Sequence, residues 1–432
     1  MRMKRKLFAA GVTGIALVAF VAAGVAVGEP AGSGEAAASA ATADASSIEN
    51  LSDISQWGEV YPLEYESFFA DYDLVKLDGK AHAHSNLVNK LKLGSKRPVS
   101  LGCLSCKGGD INTLYAEYGD SLFSMTYPYD TDEPAAVIYD PEASDNSDAN
   151  YAVWGCTTCH SDASDPVGSL GATSMYWEAI SVDFPDSVAT ENEVCGQCHN
   201  VDDSYRFMVG GGADSIYDLS AYKYGIDADS WRKAFFENSA WGEGVDEVGD
   251  IMRIDEETGV LDIYVTHPDI EMYQNSSHAS LGVTCVDCHM VEKTSLEGET
   301  YTSHSASMSP LTSKAALEYC LTCHEAQGIT SAQAMVKWVR EKQQEIVEPE
   351  NALLASLDEL KGLIKEAQES GSVDEETLQQ ARDNWSLAQF YYRWQHGGTA
   401  TAGIKVAMYN SDAMLDYIAR GQKLVDEAIA LF

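Results

Sequence analysis

The chain has 432 residues, 67 of them acidic and 28 basic, giving a formal net charge of −39. A surface this negative repels phosphate backbones and anionic lipid, which excludes nucleic acid as a partner and favours a basic redox partner. Any anion site on such a chain must bring its own local cations.

The first residues, Met1 to Lys6, form a basic n-region; Leu7 to Val27 then runs without a charge, and Glu29-Pro30 ends it. Residues 1–28 read as an export signal or an N-terminal anchor. Small residues around Ala26 and Gly28 allow cleavage, and the apolar run is just long enough to span a bilayer. Either outcome delivers the protein to the periplasm or to the outer face of the cytoplasmic membrane. Residues 29–49, dominated by Ala, Gly, Ser and Thr, form a disordered linker.

All ten cysteines then fall into five Cys-x-x-Cys motifs. Cys103 and Cys106 are followed by Lys107, Cys156 and Cys159 by His160, and Cys195 and Cys198 by His199. Cys285 and Cys288 are followed by His289, and Cys320 and Cys323 by His324. One such pair could be half a zinc site or a thiol redox pair. Five, four ending in histidine and none leaving a cysteine over, mark covalent attachment of c-type haem. The thiols take the vinyl groups and the next side chain reaches the iron. At Lys107 an amine replaces the imidazole. It must lose a proton that a free lysine holds to about pH 10.4, and burial and the metal's charge both favour that loss. So awkward a ligand singles this haem out from plain electron carriers.

Four of the ten histidines belong to the motifs, leaving His82, His84, His267, His278, His304 and His396. Low-spin electron-carrying haems take a second axial ligand. Four such haems would use four of the six and leave the Lys107 haem with an open face for a small molecule.

Periodicity between residues 50 and 330 is poor, with short helical pieces such as Asp229–Asn238 among Gly-, Asp- and Tyr-rich loops; this suits an interior filled by porphyrin. From Ser331 the character changes. Leu353, Leu357, Leu360 and Ile364 keep helical spacing, with Pro349 as a kink or boundary. Gly371 and Asp374 separate a second helix, whose face is Leu378, Ala381, Trp385, Ala388 and Tyr392. A third runs from about Ser411 to Leu431. The expected fold is mainly α: a multihaem cytochrome c with a cofactor-filled core at 50–330 and long C-terminal helices at 331–432.

One Cys-x-x-Cys-Lys followed by four Cys-x-x-Cys-His resembles the pentahaem ammonia-forming cytochrome c nitrite reductases. Further likeness lies in Tyr61-Pro-Leu-Glu-Tyr-Glu-Ser67, in Cys195-Gly-Gln-Cys-His199, in Val283-Thr-Cys-Val-Asp-Cys-His-Met290 and in Tyr301-Thr-Ser-His304. The resemblance covers roughly residues 50–330, and the C-terminal helices by character. It implies six-electron reduction of nitrite to ammonium at the Lys107 haem, with the other haems as a wire. Carried over by motif, His267 in Thr-His-Pro-Asp and Tyr205 after the third motif face the open site, and His278 and His304 are distal iron ligands. The resemblance also implies a homodimer through the C-terminal helices and a membrane-bound quinol-oxidising multihaem cytochrome as electron donor. Hydroxylamine and sulfite are further substrates of such enzymes.

Other positions depart from that pattern. The family's Arg-Gly-His appears here as Lys80-Ala81-His82, so Lys80 stands in place of the active-site arginine, with Arg97 as the other nearby cation and His82 or His84 as the distal ligand. Lysine keeps the charge and loses bidentate hydrogen bonding, which leaves open another acceptor (sulfite, hydroxylamine or an organic molecule) or a non-catalytic electron conduit. The family's last distal histidine matches Tyr409-Asn410, leaving His396 as the C-terminal histidine expected on iron. Calcium-bearing members use a glutamate and a glutamine where this chain has Ser204 and Thr266, and the family's nearby lysine aligns with Tyr264. Without a carboxylate the site lacks the oxygen ligands calcium wants, so calcium is expected to be absent and Arg206 to supply a fixed positive charge.

Overall fold

The computed structural model describes residues 45–49, 54–69, 99–100, 111–119, 121, 126–127, 155–201, 220–238, 247–248, 252–265, 267–306, 310–396 and 402–432. All of them belong to one unit, Ala38–Phe432. Residues 1–28 and most of the linker lie outside the described residues, and among those described no helix is long and apolar enough to cross a membrane.

Helices dominate, as the sequence predicts. α1 (Ile54–Val60) and α2 (Pro62–Phe69) are divided at Tyr61, because Pro62 has no N–H to bond backwards and suits only the first helical turn. α3 (Ile111–Tyr118) is tied through Asn112 to the start of α4 (Met175–Ile180). The Asn112 amide donates to the Thr173 carbonyl at 2.7 Å and its oxygen accepts from the Met175 N–H at 2.8 Å. α5 (Thr190–Gly196) and α6 (Ala228–Asn238) follow, the second lying where the periodicity predicts a short helix.

Short antiparallel strands form between the helices: β1 (Val99–Ser100) pairs with β2 (Thr126–Tyr127). A three-stranded sheet runs in the order β3 (Glu247–Val248), β4 (Met252–Ile254), β5 (Leu261–Ile263). Its register sets Met252 opposite Ile263, both fully buried, and Arg253 opposite Asp262 on the outer face. α7 (Asp269–Gln274), α8 (Ser277–Ser280) and α9 (Cys285–His289) come next. Then follow the hairpin of β6 (Glu292–Thr294) with β7 (Thr300–Thr302), and α10 (Lys314–His324).

The C-terminal part comprises α11 (Ala332–Ser370), α12 (Glu375–His396) and α13 (Ala402–Ile429). The predicted stripe of Leu353, Leu357, Leu360 and Ile364 is buried throughout. Pro349 does not bound a helix; α11 runs through it, losing one ladder hydrogen bond in a 39-residue element that packing holds on both sides. Gly371 ends α11 in the left-handed region, φ 64°, where glycine carries no side-chain penalty. α13 is broken at Asn410, φ −157° and ψ 80°, whose side-chain oxygen accepts from the Ala413 N–H at 3.1 Å. Asn410 thus caps a fresh helical segment, which is why the sequence pattern places a helix start near Ser411.

One apolar core unites these helices with the region before residue 330: Trp231 stacks on Phe235 and Phe390, and Trp177, Met252 and Ile263 join Leu353, Trp394 and Ile418 in the same cluster. Ion pairs and hydrogen bonds fasten the hairpin of β4 and β5 to the outside of this core. Arg393 meets Asp262 at 2.8 Å, Lys361 meets Asp255 at 2.8 Å, and the Arg382 guanidinium donates to the Thr258 carbonyl at 2.8 Å.

Candidate haem sites

Each described Cys-x-x-Cys-His motif occupies a single helical turn. Positions i, i+3 and i+4 share one face of a helix, so both thiols and the imidazole leave the backbone on the same side. In the first, Cys156–Thr158 is a 3₁₀ turn, and the His160 N–H donates back to the Cys156 carbonyl at 2.9 Å. In the second, at the end of α5, the His199 N–H reaches the Cys195 carbonyl at 2.8 Å. The third motif is α9 itself, where the Thr284 N–H and hydroxyl both donate to Asp287 at 2.6 and 2.9 Å. The fourth ends α10, whose start is capped by Ser313 and whose end turns at Gly328, φ 88°. A separate apolar cluster of Leu311, Leu317, Ile329, Met335 and Val339 seats it, with Trp338 against the His324 ring at 5.1 Å.

The motifs adjoin in sequence order. The Gln197 amide donates to the Thr158 carbonyl at 3.0 Å, joining the first to the second. The Cys285 N–H donates to Asn192 at 2.8 Å, and the Cys195 and Cys285 thiols are hydrogen-bond partners, joining the second to the third. The helices that carry Cys288 and Cys320 pack against each other, bringing the third motif beside the fourth. Gly196 lets the Ile270 side chain of α7 pack closely on α5, since a Cβ there would lie 2.1 Å from the Ile270 Cδ1 and displace that side chain.

Two pairs of histidines face one another. His160 and His304 have ring centroids 6.1 Å apart, and His278 and His324 are 6.2 Å apart. Two metal–imidazole bonds of about 2 Å, plus about 1.1 Å from each nitrogen to its ring centre, put the centroids about 6.2 Å apart. Both pairs therefore have the spacing of two axial ligands on one metal. The protons are placed to match. His160 Nδ1 lies 2.6 Å from the Pro166 carbonyl and His304 Nδ1 2.9 Å from the Thr302 carbonyl, so each donates from Nδ1 and keeps the Nε2 lone pair for iron. Burial pushes His304 down to about 4 and lowers His160 and His278, which keeps these rings neutral and able to ligate. The Ser67 hydroxyl accepts the His304 N–H at 2.8 Å, linking the Tyr61–Ser67 segment to this pair. The residues fit c-type haem, which would be held by the two thiols and the histidine of each motif.

Where these four motifs carry Cys-His, a family model for cytochrome c552 matches residues 69–431. The chain belongs to the cytochrome c552 family. It carries covalently bound c-type haem accordingly. Its fold is similar to that of the cytochrome c nitrite reductase catalytic subunit from Desulfovibrio desulfuricans ATCC 27774, a structure described with two calcium sites. The TM-score is 0.63 and the identity 16%, over 88% of this chain and 86% of that one. The outer cell wall cytochrome OcwA aligns at TM-score 0.38 and 16% identity, over 80% of this chain and 48% of that one, a likeness that carries no argument.

Other predicted site residues divide into those the described part contains and those it does not. Cys103, Cys106, Lys107, Lys80, His82, His84, Arg97, Ser204, Tyr205, Arg206 and Thr266 lie outside the described residues. His267 is described and stands at φ 53°, in the left-handed region that a histidine rarely adopts. The Asp269 N–H donates to the His267 carbonyl at 2.7 Å, and the Asp269 carboxylate accepts from His199 Nδ1 at 2.9 Å. Burial acts upward on Asp269, but the hydrogen bond from His199 and the nearby His267 and His289 hold its carboxyl below its ordinary value. The sequence pattern shows neither this aspartate nor Ser67 as part of a site, because both act on a ligand's far side rather than on the iron.

His396 lies at the end of α12, with Nδ1 2.7 Å from Glu350 and its ring stacked on Tyr392 at 5.2 Å. Tyr409 faces His289, with its hydroxyl 3.5 Å from the His289 Nε2 and ring centroids 6.4 Å apart.

Proposed function

We propose that this chain is an exported pentahaem cytochrome that reduces nitrite to ammonium with six electrons at a haem held by Cys103, Cys106 and Lys107. The observation that carries the reading is the run of four adjoining Cys-x-x-Cys-His turns in one fold, with a fifth motif that keeps both thiols and exchanges histidine for lysine. Nitrogen passes from +3 to −3, so six electrons must be delivered before any intermediate escapes, and a contiguous row of redox sites supplies and buffers them. The haem iron, when bound, supplies the electron-transfer and ligand-binding chemistry. His267 and Tyr205 deliver protons to the departing oxygens, and Lys80 or Arg97 supplies the positive charge that holds the anion in an otherwise acidic protein. The unusual backbone of His267, two residues before the aspartate that grips His199, ties proton donor and electron path to one short segment and supports the assignment.

Axial pairs His160–His304 and His324–His278, with His82 or His84 and His396 as further distal ligands, belong to the same reading. So do export to the periplasm or the outer face of the cytoplasmic membrane, a homodimer through α11 to α13, a membrane-bound quinol-oxidising cytochrome as donor, and a site without calcium. Lys80 in place of arginine favours one second reading, a reductase of this fold that acts on another acceptor such as sulfite, hydroxylamine or an organic molecule.

The test is to quantify ammonium after incubating the chemically reduced holoprotein with nitrite, alongside haem content by intact mass. Five haems and one ammonium per six electrons are expected. Four haems, or nitrite left unchanged by a five-haem protein, would end the nitrite reading.

A further inference from the structure

We infer that the haem attached at Cys285 and Cys288 is not a bis-histidine haem, and that Tyr409 takes the distal side of its iron opposite His289. The inference rests on covalent haem at that motif, which family membership supplies, and not on nitrite being the substrate.

Two observations converge on Tyr409. First, its hydroxyl stands 3.5 Å from the His289 Nε2 and its ring centroid 6.4 Å from that of His289. The two histidine pairs of the same fold stand at 6.1 and 6.2 Å. Two metal–ligand bonds of about 2 Å span about 4 Å, so the Tyr409 oxygen faces the His289 Nε2 across close to the gap that an iron between them would fill. Second, the placement is built. Asn410 breaks α13 and donates from Nδ2 to the Met272 carbonyl at 3.2 Å, while Tyr273 packs edge-on against the Tyr409 ring at 6.1 Å. Helix α7 thus grips the tyrosine from both sides of the kink.

A phenol oxygen is an accepted axial group for haem iron. As the iron–oxygen bond forms, the phenol proton leaves to solvent and the iron keeps its oxidation state. A hard anionic oxygen favours ferric over ferrous iron, so this haem becomes the hardest of the motif haems to reduce. The third Cys-x-x-Cys-His motif lies between the second and the fourth, so electrons crossing it meet an uphill step.

The experiment uses the full-length holoprotein and reads ferric spin state by electron paramagnetic resonance, reduction midpoints by spectroelectrochemistry, and haem content by intact mass. Tyr409→Phe should keep the haem count and convert one haem per chain to high spin, with a new cyanide-binding equivalent. Tyr409→His should add one bis-imidazole low-spin signal and raise the lowest midpoint of the described motif haems. His396→Ala should leave every signal in place. A five-haem Tyr409→Phe protein with spectra identical to the parent would overturn the assignment, as would loss of a low-spin haem in His396→Ala. Should Tyr409→Phe lose haem, Tyr409→His decides: no added low-spin signal rejects the inference, and its appearance upholds it. A parent protein without haem at Cys285 and Cys288 would instead remove the attachment on which it rests.

Discussion

Asp269 accepts the Nδ1 proton of His199 at 2.9 Å while its own N–H bonds the carbonyl of His267. One residue therefore fixes the tautomer of an iron ligand and the backbone of the proposed proton donor. A carboxylate behind a ligating histidine makes the imidazole more basic and so favours the ferric state. Asp269→Asn keeps the size and one acceptor oxygen but removes the charge. The expected outcome is an unchanged haem count, a raised midpoint for one haem, and nitrite reduction slowed by about 10–100-fold, the usual loss on removing such a partner. Midpoints identical to the parent would show that Asp269 serves packing alone.

His267 is proposed to donate protons rather than to bind iron. His267→Asn should lower kcat for nitrite by about 10²–10⁴-fold, the range for a lost general acid. Haem content and the low-spin signals should stay as they are. Asparagine also tolerates positive φ, so the substitution leaves the backbone at 53° without new strain. A lost low-spin signal would make His267 an axial ligand instead.

Much of this architecture is legible in the sequence because it rests on local spacing. The Cys-x-x-Cys-His motifs form turns by the i, i+3, i+4 geometry that their spacing encodes, and the Leu353–Ile364 stripe is a helix by the same periodicity. The break in α13 is partly legible, since Asn410 is a good N-cap and the pattern restarts after it. Contacts made at long range are not legible. Ser67 meets the His304 N–H across 237 positions, and Asp269 meets His199 across 70. Glu350, which meets His396 Nδ1 across 46 positions, is another partner that no motif announces.

Glu271 provides a test by pH. Burial pushes its carboxyl from an ordinary 4.5 up to about 8, against the pull of hydrogen bonds from the Val201 N–H at 3.0 Å and the Tyr222 hydroxyl at 2.8 Å. The folded value lies above the unfolded one, so the native state holds the proton more tightly. Stability from this group is full below about pH 4.5 and declines as pH rises to about 8. Glu271→Gln removes the titration and keeps an acceptor for both donors. Guanidinium unfolding should show the variant more stable than the parent at pH 8, by on the order of a few kcal/mol, and nearly equal at pH 4.5. A difference independent of pH would mean that Glu271 is ionised in the fold at both values.

Calcium offers the last test. A hard cation of that size takes six to eight oxygen ligands, carboxylates among them. In the proposed active site, the positions before Tyr205 and His267 are Ser204 and Thr266, which bring no carboxylate, and Tyr264 stands where a lysine is expected. Arg206 follows Tyr205 directly and can place a fixed positive charge where a cation would otherwise sit, binding an anion or a carboxylate through its planar fork. The similar fold with two calcium sites belongs to another protein at 16% identity, so it fixes nothing at these positions. Prolonged treatment with a calcium chelator should therefore leave nitrite turnover and the haem spectra unaltered, and Arg206→Ala should lower turnover by at least tenfold without loss of haem. Arg206→Lys separates charge from geometry: partial rescue points to charge, and no rescue to the bidentate fork. Activity that falls with chelator and returns on adding calcium would place the metal in this site. Asp202 and Asp203, the nearest carboxylates in sequence, would then be its first candidate ligands.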